Sequence, residues 1–141
     1  MDDSYNLQRF VIAQQPVYAN VLAELRAGLK QSHWMWFIFP QIRGLGHSPL
    51  AQKFAISTLD EAEAYLQHAV LGMRLRECSR LVADINGRTI QQIFGYPDDM
   101  KFHSSMTLFS LATQENDVFK QCLNKYFSGE MDAGTLAQLG C

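Results

Sequence analysis

Ser32-His33-Trp34-Met35-Trp36-Phe37-Ile38-Phe39-Pro40-Gln41-Ile42-Arg43-Gly44-Leu45-Gly46-His47-Ser48 is the stretch that decides how this chain is read. Six apolar residues run unbroken from Trp34 to Phe39, and both tryptophans of the protein lie among them. The run is far shorter than the roughly 20 residues needed to cross a bilayer and has no polar stripe, so it is expected to be buried on all sides as a central core element. Gln41, Arg43, Gly44, Gly46 and His47 follow at once, where the chain must leave that core. A functional site is expected to begin there.

Outward from this run, composition limits the possibilities. A chain of 141 residues fits one domain, residues 1–141, which buries about two thirds of its unfolded surface without staples. Hydrophobic residues at 48% against 18% charged place it among globular chains rather than disordered ones. Fourteen acids against 12 bases, a net charge of -2 with no run of either sign, give no electrostatic footprint for duplex nucleic acid or an anionic membrane. Cys78, Cys122 and Cys141 are odd in number and widely spaced, which suggests neither a disulfide framework nor a zinc ribbon. With a polar, acidic N-terminus in place of a signal sequence, the expectation is a cytoplasmic protein.

The helical punctuation is dense. Leu7, Phe10 and Val11 follow Asn6, a natural cap, and Pro16 suits the first turn of a second helix whose stripe is Tyr18, Val21, Leu22, Leu25 and Leu29. Ser48-Pro49 reads as a cap with proline at the first helical position, starting a helix through Ile56. Thr58 with Glu61 reads as a capping box. Leu71, Leu75, Cys78, Val82 and Ile85 give a stripe closed by Asn86-Gly87, Thr89 opens a short piece, and Asp98 or Asp99 is expected to cap a helix reaching Thr113. Further helices follow over Val118 to Phe127 and from Asp132. No alternating segment, hairpin turn or repeat appears, so the class is all-α with about seven to nine helices.

Beyond these residues, the chain resembles a family of short bacterial proteins catalogued as a domain of unknown function, members of which carry the misleading automatic label calpastatin. The pieces that carry the resemblance are Arg9-Phe10, Glu24-Leu25, Ser32 to Gln41, Gly44-Leu45-Gly46 with Ser48, Glu61-Ala62, Tyr65-Leu66, Leu71-Gly72, Arg74-Leu75, Ile93-Phe94-Gly95, Pro97-Asp98-Asp99 with Lys101, and Ser104 to Phe109. It implies a compact multihelical fold with an unusually short buried central helix, placed here at Trp34 to Phe39. Ala69 departs from it, standing where the family usually has proline. A looser likeness links such proteins to bacterial N-glycosidases acting on phosphorylated ribose compounds.

Three constellations compete with plain packing. Trp34 and Trp36 carry indole faces able to stack on a planar ligand, but at i and i+2 they point apart, so at most one faces a pocket, with His33 beside them. The turn through Gln41, Arg43, Gly44 and Gly46 offers free amides and a guanidinium to an anion. Asp98 and Asp99 are a candidate general acid or base with Lys101 within one turn and Ser104 and Ser105 beyond. The expected site therefore takes Asp98, Asp99 and His33 as catalytic groups, and Trp34, Trp36, Gln41, Arg43, Gly44, Gly46, Lys101, Ser104 and Ser105 as ligand-binding groups, with no metal or cofactor. The expected ligand is a small anionic metabolite, nucleotide-like or a phosphorylated ribose, bound or hydrolysed at its glycosidic bond. The rival expectation is a non-enzymatic interaction module or homodimer using the aromatic run with Tyr65, Tyr96 and Tyr126.

Overall fold

In the computed structural model, which describes residues 3–141, the tryptophan run is a single helical turn sunk in the interior. In chain order the helices are α1 (Gln8–Gln14), α2 (Tyr18–Ala27), α3 (Met35–Ile38), α4 (Pro49–Lys53), α5 (Leu59–Gln67), α6 (Leu71–Ala83), α7 (Ile90–Phe94), α8 (Asp98–Ala112), α9 (Asp117–Phe127) and α10 (Ala133–Leu139). The described residues form no strand; one isolated parallel bridge pairs Ile42 with Ile56. None of these helices is long and apolar enough to cross a membrane.

Trp34 is the N-cap residue of α3 and is buried, with its ring edge-on to Phe94 at 6.4 Å. Phe39, just past the helix, meets Phe102 of α8 edge-on at 5.0 Å. A turn this short cannot hold itself, so a side chain from α2 fixes its approach. The Glu24 carboxylate accepts from the amides of Gln31 and Ser32, from the Ser32 hydroxyl, and from Trp34 Nε1 at 3.0 Å. Partial burial works against this carboxylate, but the bonds from Ser32, Gln31 and Trp34 outweigh it and hold its pKa below the ordinary glutamate value.

That depression has a definite sign in stability. The folded value lies below the ordinary glutamate value of 4.5, so the contribution is present above that pH and is lost as pH falls through the folded value. Glu24→Gln is expected to flatten the acid limb of a stability-against-pH curve. An acid limb as steep as that of the native protein would contradict this role.

Around α3, the long helix α8 packs against α5, α7, α9 and α10, while α6 packs on α2, α5 and α9. Because α8 is enclosed on most sides, its residues from Ser104 to Ser110 are all buried, and it shows no single apolar stripe. Small hydroxylated residues allow the close approach, and two of them bond back to their own helix, while the buried Ser105 hydroxyl has no partner. Thr107 donates to His103 O and Ser110 to Thr107 O, whereas the Ser104 hydroxyl is directed to Asp132.

Several caps differ from the sequence expectation. Asn6 has φ +53 and does not cap α1; Asp3 does so from further back, its carboxylate accepting from the amides of Leu7 and Gln8. Ser48 and Asp132 cap α4 and α10 as expected, but α4 stops at Lys53 rather than reaching Ile56. Thr58 caps α5, yet Glu61 turns to the amide and hydroxyl of Ser57 because its other oxygen is engaged by Arg9 at 3.0 Å. The reciprocal box forms instead at Thr89 with Gln92. Neither Asp98 nor Asp99 caps α8; both lie inside its first turn, after the cis Tyr96-Pro97 bond, where acidic residues suit the helix dipole.

Candidate functional site

The chain leaves α3 through Phe39 and Pro40, both buried, and is then pinned by the bridge. Arg43 N donates to Ile56 O at 2.8 Å and Ile56 N to Gln41 O at 2.8 Å. The turn that follows needs glycine twice. Gly44 has φ +100, and a Cβ there would sit 2.5 Å from Gln138 Oε1 of α10; a Cβ at Gly46 would sit 2.6 Å from the Ala51 methyl. Among the described residues, the amides of Gly44 and Gly46 have no acceptor within the chain.

Between this turn, α3 and α8 lies a narrow cleft whose walls include Trp36, Gln41, Gly44, Gly46, Phe54 and Lys101. Its cavity volume is about 10 Å³. The floor therefore holds about one water, and anything larger must lie at the mouth.

Lys101 is the cation of the cleft. Its ammonium lies 5.3 Å from the centre of the half-buried Trp36 ring and 3.5 Å from Asp98 Oδ1. The other Asp98 oxygen is 2.8 Å from Lys30, whose side chain is only 7% exposed and whose ammonium lies 5.1 Å from the Trp34 ring. Asp98 is thus a shared counter-ion rather than a carboxylate facing the cleft.

Trp34 fills the core while Trp36 faces the cleft, as their spacing requires. His33 and Arg43 are exposed and do not line the cleft; Arg43 contributes its backbone to the bridge instead. Asp99 is buried away from it, with Oδ1 lacking a partner. The Ser104 hydroxyl donates to Asp132 Oδ2 at 3.0 Å and so ties α8 to the cap of α10, and Ser105 is fully buried. Two other histidines have structural duties. His68 Nδ1 accepts from the amides of Val70 and Leu71 at the start of α6, and His103 stacks on Phe127 at 3.9 Å.

The aromatic run itself is interior, with Trp34 and Phe39 buried and Tyr65 buried beside Phe10. Of the tyrosines expected at a partner surface, Tyr96 is 80% exposed, while Tyr126 is half-buried and donates to Val82 O. Lys30 was not singled out by sequence. A lone lysine beside an apolar run looks like a loop residue, and only its distant partner Asp98 gives it a role.

No curated protein matches this chain. A crystal structure of a conserved hypothetical protein from Mycobacterium tuberculosis is similar over 99% of both chains, with 57% identity and a TM-score of 0.97. At that identity the helical arrangement and the cleft-bearing turn are those of a shared fold. The family model described as "Protein of unknown function (DUF1810)" matches residues 4–139, and the chain belongs to that family.

Proposed function

We propose that the cleft binds the anionic end of a small phosphorylated, nucleotide-like metabolite. The observation that carries this reading is the convergence on one hollow of a lysine ammonium, a glutamine amide and two glycines with free amides, beside a half-buried indole. Free backbone amides and a cation are the groups that hold a phosphate, and an aromatic face accepts a planar ring. In the bound state the Lys101 ammonium moves from the face of Trp36 onto the anion, which uncovers the indole for the ring. Among the described residues no carboxylate lines the cleft, so binding is better supported than hydrolysis of a glycosidic bond, for which Asp98 or Asp99 would have to reach the ligand. The free thiols at Cys78, Cys122 and Cys141 suit the reducing interior of a cell.

Thermal unfolding with inorganic phosphate, ribose 5-phosphate, adenosine monophosphate and ADP-ribose tests this. A ligand at a hundred times its Kd stabilises by about 2.7 kcal/mol, a readily measured shift. At least one phosphorylated compound is expected to stabilise the native protein and not Lys101→Met. No stabilisation by any of them, or an equal effect on Lys101→Met, would contradict the proposal.

A further inference from the structure

We infer that Lys30 is a positioning residue for this cleft: by neutralising Asp98 from the interior, it leaves the Lys101 ammonium available to a phosphate-type anion. The inference rests on the reading of the cleft given above and adds a determinant of affinity that never touches the ligand. Each oxygen of Asp98 carries one lysine, Oδ2 to Lys30 at 2.8 Å and Oδ1 to Lys101 at 3.5 Å. The two lysines are not equivalent. Lys30 is held at both ends, its amide donating to Ile93 O at 2.8 Å and its ammonium buried against Trp34 and Asp98. A buried ammonium is costly to leave unpaired, so Asp98 cannot release it. Lys101 is 24% exposed, lies on the cleft and makes the longer contact, so it is the one that can leave.

Lys30, Asp98 and Lys101 together carry one net positive charge, which faces the cleft through Lys101. Without Lys30, Asp98 and Lys101 form a neutral pair that an anion must first break. Removing Lys30 and Asp98 together restores the single free cation and leaves no buried charge unpaired.

Titrating the full chain with inorganic phosphate at low ionic strength, while following the amide resonances of Gly44 and Gly46 by NMR, tests this. Lys30→Met is expected to weaken binding about tenfold, since losing a neutralising charge at this range is a strong effect. The double variant Lys30→Met, Asp98→Asn is expected to return to within about threefold of the native affinity, and Lys101→Met to show no saturable shift. A lysine needed only for packing would not be rescued by the second substitution, and the double variant restores the charge balance around Lys101 should Lys30→Met fold poorly. Saturable binding that Lys30→Met leaves unchanged, or that the double variant fails to restore, overturns the role of Lys30 alone. Absence of saturable shifts in the native protein overturns the cleft reading with it.

Discussion

Arg9→Ala is expected to lower stability by about 3–5 kcal/mol, the usual cost of removing one partner from a buried ion pair. All three guanidinium nitrogens are engaged. Nε donates to Lys53 O, Nη1 to Tyr5 O and Asn6 O, and Nη2 to Ala55 O and Glu61 Oε2. One side chain therefore closes the turn before α1, holds the chain after α4, and pairs with a carboxylate on α5 that is only 3% exposed. Alanine would leave that carboxylate with the Ser57 amide and hydroxyl as partners but no counter-charge. For a domain of this size, the corresponding fall in Tm is about 10–15 °C. Arg9→Lys should recover little of it, because an ammonium cannot span the same fork of acceptors. A loss under about 1 kcal/mol for Arg9→Ala would mean that the clamp contributes no more than a surface pair.

The two tryptophans should separate folding from binding. Trp34→Ala removes a ring buried to 1% exposure that meets Phe94 and Phe39, and it deletes the donor to Glu24. The expected loss is about 3–5 kcal/mol, as for other large aromatic truncations in a core. Trp36 is only half-buried and touches the cleft and Lys101, so Trp36→Ala should cost about 1 kcal/mol or less in folding while abolishing ligand stabilisation. Chemical denaturation of both variants, with and without the stabilising compound, is the measurement. Comparable folding losses for the two would contradict the assignment of one indole to the core and the other to the site.

Local chemistry made most of the fold legible. Ser48 followed by Pro49, Thr58 and Asp132 announce helix ends through contacts within a few residues, and the unbroken run from Trp34 to Phe39 announces a core element, although Trp36 and Phe37 stay half-buried rather than enclosed on all sides. Long-range pairing is what the sequence hides. Arg9 and Glu61 are 52 residues apart, and Lys30 reaches Asp98 across about half the length of the chain, so neither pair has a spacing to read. The same difficulty explains Asp98 and Asp99, which look like caps or acid-base groups until a buried lysine is placed beside the first. Ser104 and Ser105 read as ligand-binding groups beyond Lys101, but α8 is central and its small hydroxylated residues permit close packing. At the site, the glycine turn and Trp36 were readable as an opening next to a core element. The exposed positions of His33 and Arg43 were not, because side-chain direction in a loop leaves no periodic signal.

The most direct test of the cleft is a crystal of this protein soaked with adenosine monophosphate. The phosphate is expected within about 3 Å of Lys101 Nζ and of the Gly44 or Gly46 amide, with the ring on the uncovered face of Trp36. A nucleotide bound elsewhere, with Lys101 still seated over Trp36 and paired to Asp98, would contradict that binding mode.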